Sequence, residues 1–410
     1  MLNRRQFFGA SIAGTGAALG TPAWLARLGA SGQSGQDGRA LVVVQLRGGN
    51  DGLNTLVPFE DAAYRRARPA LGLAPRELLP ADELNRFHPS LERVARRFAE
   101  GEVALVQNVG YPGPNLSHFR SVDVWESACP EGPLPATGWI GNYHDRYLPG
   151  GTGPIAMLAI GRDAMPRSML AKGDVACAVP DLESYRFQAP GRARAAEARA
   201  RRRALAKLNR GGAGGALEEV TEAVAAAQLS IEQLQRLESV SNHVAYPRSK
   251  LAGDLALAAR VLGSGMRARF LYVTQDGYDT HVDQARDQAE LLRVLDAAID
   301  AFLSDLAAMG QLERTLVMTV SEFGRRVEES GIGKDAGTDH GAASVSLLFG
   351  TALRGGVHGG QPDLENLDEN GNLVHRADFR QLYATVIEDW MGGASSDVLG
   401  RPFEKLEVIA

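Results

Sequence analysis

Leu41-Val42-Val43-Val44-Gln45-Leu46-Arg47-Gly48-Gly49-Asn50-Asp51-Gly52 is the stretch that decides the fold. Its first half is an apolar run that reads as a buried strand. Its second half is a knot of glycines and polar residues at that strand's carboxyl end. The pattern recurs along the chain. Phe270-Leu271-Tyr272-Val273 leads into Gly277-Tyr278-Asp279-Thr280-His281, and Thr315-Leu316-Val317-Met318-Thr319-Val320 leads into Ser321-Glu322-Phe323-Gly324-Arg325. A fourth knot, Gly337-Thr338-Asp339-His340-Gly341, precedes the apolar run Ser344–Phe349 instead of following one. Ligands of open α/β sheets bind at the carboxyl ends of strands. Asp, Glu and His gathered there suit a metal, because hard cations take carboxylate oxygen and zinc takes imidazole as well.

Outward from these runs, the sequence predicts a mixed α/β sheet flanked by helices. Val103–Val109 and Ile155–Ile160 are further strands, and Leu91–Phe98 has helical spacing. The order of strand 41–46, helix 91–98 and strand 103–109 suggests a right-handed βαβ unit. A long amphipathic helix is expected with Ala285, Ala289, Leu292, Leu295, Ile299, Phe302 and Leu306 on one stripe. Another is expected over 377–391. Residues 190–262 are rich in Ala, Arg, Glu and Leu and read as a helical insertion or cap. The Arg-rich run 192–203 within it reads as a solvated helix face.

The first 30 residues read as an address. Asn3-Arg4-Arg5-Gln6-Phe7-Phe8 is a twin-arginine pattern, followed by a short small-residue apolar stretch. Residues 31–39 read as a linker, and 40–410 as the folded domain. The translocase of the twin-arginine route is thus an expected partner, and the destination is periplasmic or secreted. No later run is long enough for a stable membrane span. The formal charge of −5 and the scarcity of aromatic residues give no reason to expect nucleic acid. The two cysteines, Cys129 and Cys177, are equally compatible with a disulfide and with free thiols.

Each site candidate carries a plain and a chemical reading. Asp51 suits an Asx-turn or a ligand position beside a closely approaching backbone. The Gly-rich segment lacks the Lys-Ser/Thr ending of a phosphate-binding P-loop. Asp279 and His281, two apart in an extended loop, point the same way and can reach one ion. Asp339 and His340 are adjacent and can splay towards different ions. Ser117 suits the N-cap of a helix over 119–126 or an activated nucleophile. His118 suits a ligand or the acid that protonates a leaving group. His88, His144, His243, His358 and His375 are read as structural or solvated.

Taken in order, Gly-Gly-Asn-Asp-Gly, Ser-His-Phe, Gly-Tyr-Asp-Thr-His, Ser-Glu-Phe-Gly-Arg and Gly-Thr-Asp-His-Gly resemble the bacterial family called domain of unknown function 1501. That family in turn resembles the alkaline phosphatase and sulfatase superfamily. The resemblance implies a mixed sheet with divalent metal at the strand ends. It makes Asp51 a metal ligand, Ser117 the nucleophile, Asp279 and His281 ligands of one ion, and His340 the last ligand histidine. Glu322 stands where an Asp is expected and Phe323 where its neighbouring His would be, which leaves one or two ions open. No Cys-x-Pro-x-Arg sulfatase signature occurs. The expected activity is hydrolysis of a phosphate or sulfate ester in a small molecule or polymer. Zinc, calcium, manganese or magnesium would serve as cofactor, with Asp51, Asp279, His281, Glu322, Asp339 and His340 as candidate ligands. Arg47, Asn50, Arg120 and Arg325 are candidate contacts to the anionic substrate. The alternatives are a non-catalytic, metal-stabilised binding or assembly protein of the cell envelope and, less favoured, a carbohydrate-modifying enzyme of another chemistry.

Overall fold

The computed structural model describes residues 38–148, 155–172, 176–182, 231 and 233–410. The leader, nearly all of the linker, the Arg-rich run 192–203 and the rest of 183–230 lie outside the described residues. Nine strands of the described residues form one sheet: β1 (Ala40–Arg47), β2 (Val103–Gly110), β3 (Met157–Ile160), β4 (Cys177–Val179), β5 (Phe270–Asp276), β6 (Thr315–Val320), β7 (Ser344–Phe349), β8 (Gly356–His358) and β9 (Ala377–Asp378). Their order is β8-β2-β7-β6-β1-β5-β3-β4, with β9 also paired to β2.

β1 lies mid-sheet, parallel to β5 on one side and β6 on the other. Successive side chains of a strand point to opposite faces. Val42, Val44 and Leu46 therefore enter one core, and Leu41 and Val43 the other. This double burial is why β1 reads as an unbroken apolar run. Helices α1 (Glu92–Ala99), α4 (Lys250–Gly263) and α5 (Gln284–Ala308) cover the first face. Helices α2 (His118–Ser127), α3 (Trp139–Tyr147) and α6 (Phe379–Thr385, continued by a π-turn over Val386–Trp390) cover the second. The fold is thus mixed α/β, with a central sheet between helices.

β7 is the antiparallel member, paired with β6 and β2. Its reversed direction brings its amino end to the edge where β1, β2, β5 and β6 have their carboxyl ends. The fourth polar knot, which precedes a strand, thereby meets the three that follow strands.

Three expectations change in detail. β1 and β2 run the same way but are separated by β6 and β7, so strand, helix and strand skip two positions. α4, at the end of the segment read as an insertion or cap, places Leu251, Leu255 and Ala258 in the core beside the sheet. In the first turns of α5, Gln284 and Gln288 are buried, whereas Ala285 is exposed and Ala289 half-buried. Stepping back four residues at a time from Leu292 leads to Gln288 and Gln284, so the buried row is continuous but turns polar where it reaches the site. The fully buried Leu292, Leu295, Ile299, Phe302 and Leu306, at about 1.5–3 kcal/mol each, anchor the helix that carries those two amides. Cys129 and Cys177 are not joined in a disulfide. Among the described residues no helix is long and apolar enough to cross a membrane.

Candidate metal centre and its cleft

Two glycines allow the strand-end loops to converge. Gly48 and Gly49, directly after β1, have φ of +121° and +94°, a region that L side chains avoid. A Cβ on Gly48 would lie 2.3 Å from the Asp279 backbone nitrogen, and one on Gly49 would lie 2.5 Å from the Phe323 ring. The loop after β1 therefore packs backbone to backbone against the loop after β5, and its backbone lies against the Phe323 ring of the loop after β6.

Arg325 fastens them from inside. Its side chain is fully buried. Nε donates to the Gly49 carbonyl at 2.9 Å, Nη1 to the Thr338 carbonyl at 2.8 Å, and Nη2 to the Tyr278 carbonyl and Asp279 Oδ1, each at 2.8 Å. Nη2 also donates to the Gly48 carbonyl. All three guanidinium nitrogens thus donate to the loops around them.

Above this staple, Asp279, His340 and His118 converge, from the loop after β5, the short strand His340–Gly341 and the first residue of α2. One ligand atom from each lies within 4.8 Å of the others. His340 Nε2 is 3.0 Å from Asp279 Oδ1, and His118 Nε2 is 3.3 Å from Asp279 Oδ2. His281, on the exposed side, has its Nε2 3.1 Å from both Asp279 Oδ1 and His340 Nε2. Burial alone would raise the Asp279 pKa. The hydrogen bonds from Arg325 and His340, with the nearby charges of Arg325 and His281, outweigh it and hold the carboxyl well below the usual carboxylate range.

The rear nitrogens of two of these imidazoles are held. His118 Nδ1 faces Glu322 Oε1 at 3.1 Å, and His340 Nδ1 faces the Leu116 carbonyl at 2.8 Å. His281 Nδ1 is 3.5 Å from Asp339 Oδ1, beyond a hydrogen bond. With Nδ1 of His118 and His340 turned to those acceptors, the Nε2 that faces Asp279 either carries a second proton, as in the hydrogen bond from His340, or presents a lone pair to a cation. Acceptors facing acceptors at 3.0–3.3 Å require a proton or a cation among them. The residues fit a cation. Imidazole Nε2 and carboxylate oxygens are first-row metal donors, and ligands on a tetrahedral zinc ion sit about 3.3 Å apart. Outer-shell partners on Nδ1 are the usual accompaniment of metal-binding histidines.

The remaining expected residues lie elsewhere. Asp51 is buried as N-cap of a short helix at Gly52–Thr55. Its Oδ1 accepts from the Leu53 and Asn54 amides at 3.1 and 3.3 Å. Its Oδ2 is 2.5 Å from both Arg68 Nη1 and Gln284 Nε2. The carboxylate is thus fully engaged away from the histidines. Glu322 stands behind His118 and also accepts the Gly48 amide at 2.8 Å. Asp339 is exposed beside His281. Phe323 packs its ring 4.9 Å from that of His118 and 4.4 Å from that of His340. Asn50 is buried, accepting from Thr55 and Gln288. Arg120 donates to the Pro130 and Gly132 carbonyls. Ser117 occupies the N-cap position of α2, exposed, and its side chain makes no capping bond. It directly follows Leu116, whose carbonyl holds His340.

A cleft of about 600 Å³ opens beside the trio, with His118, Asp279 and Arg47 in its wall. It lies over the carboxyl ends of β1, β3 and β5. Arg68 and Gln284 were not foreseen. Gln284 could have been found by extending the α5 row. Arg68, an ordinary helix-end arginine in sequence, carries no such signal.

Residues 38–390 match the family described as Protein of unknown function (DUF1501). No curated protein sequence matches the chain. Solved structures give distant likenesses. A protein in the alkaline phosphatase superfamily from Vibrio parahaemolyticus shares 11% identity, covering 90% of this chain and 70% of its own, at a TM-score of 0.42. The PsFucS1 sulfatase from Pseudoalteromonas sp. shares 12%, covering 93% and 73%, at 0.40. Alkaline phosphatase from the Antarctic bacterium TAB5 shares 11%, covering 78% and 94%, at 0.31.

Proposed function

We propose, from the premise that this chain belongs to the DUF1501 family, that it is an exported, metal-dependent hydrolase of a phosphate or sulfate ester. The observation that supports this most is the convergence of His118, Asp279 and His340 beside a cleft whose wall the first two form. Those three residues would hold a divalent ion, with His281 on its exposed side. When bound, such an ion supplies Lewis acidity to an oxygen that gains negative charge.

The chain's own groups do the rest. Glu322 and the Leu116 carbonyl hold His118 and His340 in the tautomer that presents Nε2. Ser117 offers an exposed hydroxyl, uncommitted to capping, at the amino end of the ten-residue α2. The partial positive charge of that helix end favours its alkoxide and an incoming anion. Asp279, held ionised by Arg325, balances the cationic centre.

The second reading is a non-catalytic, metal-stabilised envelope protein. It draws on Phe323, an inert ring packed against two site histidines, and on Asp51, whose oxygens are engaged in the interior. Metal analysis by mass spectrometry on protein folded in its native host, with a panel of phosphate and sulfate esters, separates the two. A bound divalent ion with turnover supports the hydrolase. A bound ion with no turnover favours the envelope protein. No divalent ion, with melting unmoved by chelator, removes the metal from both. Export is tested by replacing Arg4 and Arg5 with Lys, which should leave precursor in the cytoplasm.

A further inference from the structure

Of the arginines expected to meet an anionic substrate, Arg325 is fully buried with all three nitrogens donating to the surrounding loops, and Arg120 is held by backbone carbonyls. The cleft wall contains three arginines: Arg47, Arg162 and Arg167. Arg47 faces Asp276 at 3.6 Å, and Arg167 is bound to Asp123 at 2.7 Å. Arg162 differs from both. Its Nη1 donates to Gln45 Oε1 at 3.1 Å and to Thr274 Oγ1 at 2.9 Å, which are neutral acceptors. Among the described residues no carboxylate lies within ion-pair distance of it, although its charge opposes the burial that raises the Glu126 pKa, and Nε and Nη2 have no hydrogen-bond partner. The guanidinium lies 5.4 Å from the centre of the buried Tyr272 ring. It follows β3 and is tethered to side chains of β1 and β5, so its orientation is set by three adjacent strand ends. The nearby acid Glu126 is turned to the Arg167 amide at 2.5 Å and the Tyr272 hydroxyl at 3.2 Å.

We infer that Arg162 is the substrate-recognising cation of this cleft, holding a tetrahedral oxyanion through its free Nε and Nη2 while the rest of the ester lies against Phe119. This rests on the hydrolase reading and names a residue for its specificity. A forked guanidinium matches two oxygens of a phosphate or sulfate group, which a lysine cannot do. Phe119, 83% exposed in the first turn of α2, lines the same cleft with Met165 and Leu170. An alcohol moiety with an apolar or aryl face therefore suits this wall.

The test uses metal-loaded protein, p-nitrophenyl phosphate and p-nitrophenyl sulfate as substrates, and inorganic phosphate and sulfate as ligands. Arg162→Gln should raise KM, and the inhibition constant of the matching inorganic anion, by about 10- to 100-fold. It should change kcat less and leave bound metal unchanged. Arg162→Lys should recover only part of the loss. The ester that is cleaved distinguishes phosphate from sulfate. If the wild type turns over an ester and Arg162→Gln keeps both constants within about two-fold, the inference falls and the hydrolase reading stands. If the wild type cleaves neither ester but binds an inorganic anion that Arg162→Gln no longer binds, recognition stands and catalysis falls. If it neither cleaves nor binds, both fall.

Discussion

Replacing Asp51 by Asn separates a ligand from a structural anchor. The Asp51 and Arg68 side chains are 1% and 0% exposed, with Oδ2 and Nη1 2.5 Å apart. Asp51→Asn removes the negative charge and leaves the Arg68 guanidinium buried without its counter-ion. Breaking a buried pair from one side costs about 3–5 kcal/mol. The Asn side chain still caps the helix at Gly52–Thr55, so little is added from the cap. For about 370 folded residues, at ~2.1 cal/mol/K each, the unfolding entropy is roughly 0.8 kcal/mol/K, and the melting temperature should fall by about 4–6 °C. Urea unfolding gives the free energy, and mass spectrometry of the same preparation gives the metal content, which should be unchanged. In a double-mutant cycle, Arg68→Met should restore part of the stability lost in Asp51→Asn, because the stranded charge is gone. Loss of bound metal with an unmoved melting temperature would refute the reasoning and make Asp51 a ligand.

Glu322→Gln keeps an oxygen for the His118 Nδ1 proton but drops the charge behind the ring, so metal affinity should fall by about 10- to 100-fold in a chelator competition; equal affinity would exclude the positioning role. Ser117→Ala should abolish ester cleavage while stability changes by less than about 0.5 kcal/mol, because no capping bond is lost; full activity on a substrate of the wild type would exclude Ser117 as nucleophile. Burial pushes the His88 pKa down from 6.5 to about 4, against the smaller opposing charge of Asp51, and its Nδ1 accepts the Ser90 amide at 3.0 Å. The unfolded chain takes up this proton below pH 6.5 and the folded chain does not. Stability is therefore full above pH 6.5 and declines towards pH 4, and His88→Gln should lose about 2 kcal/mol less than the wild type between pH 7 and pH 5. Parallel pH profiles would contradict this.

The strands were legible because β1, β5, β6 and β7 are buried on both faces, which writes an unbroken apolar run into each. The site edge was legible because polar residues interrupt those runs at one end. The partners were harder to read. Asp51 looks like a ligand beside two glycines until Arg68 and Gln284, 17 and 233 positions away, are placed against it. Glu322 likewise looks like a donor until His118 arrives from 204 positions away. Sequence marks which residues are polar at a strand end, but long-range packing decides which carboxylates are already engaged. The α5 row was misplaced for the opposite reason. Alanines were preferred to glutamines as buried residues, whereas the site needed the amides inside.

Arg325 ties the loops that bear Gly48, Gly49, Tyr278, Asp279 and Thr338 through their own carbonyls and one carboxylate. A cation of the chain thus performs the scaffolding that a structural zinc ion performs in small metal-folded domains. If the site holds an ion as proposed, the donor cage should outlast it. Stripping and reloading the ion should then behave as a reversible titration of a rigid receptor, fast in both directions and silent in far-ultraviolet circular dichroism.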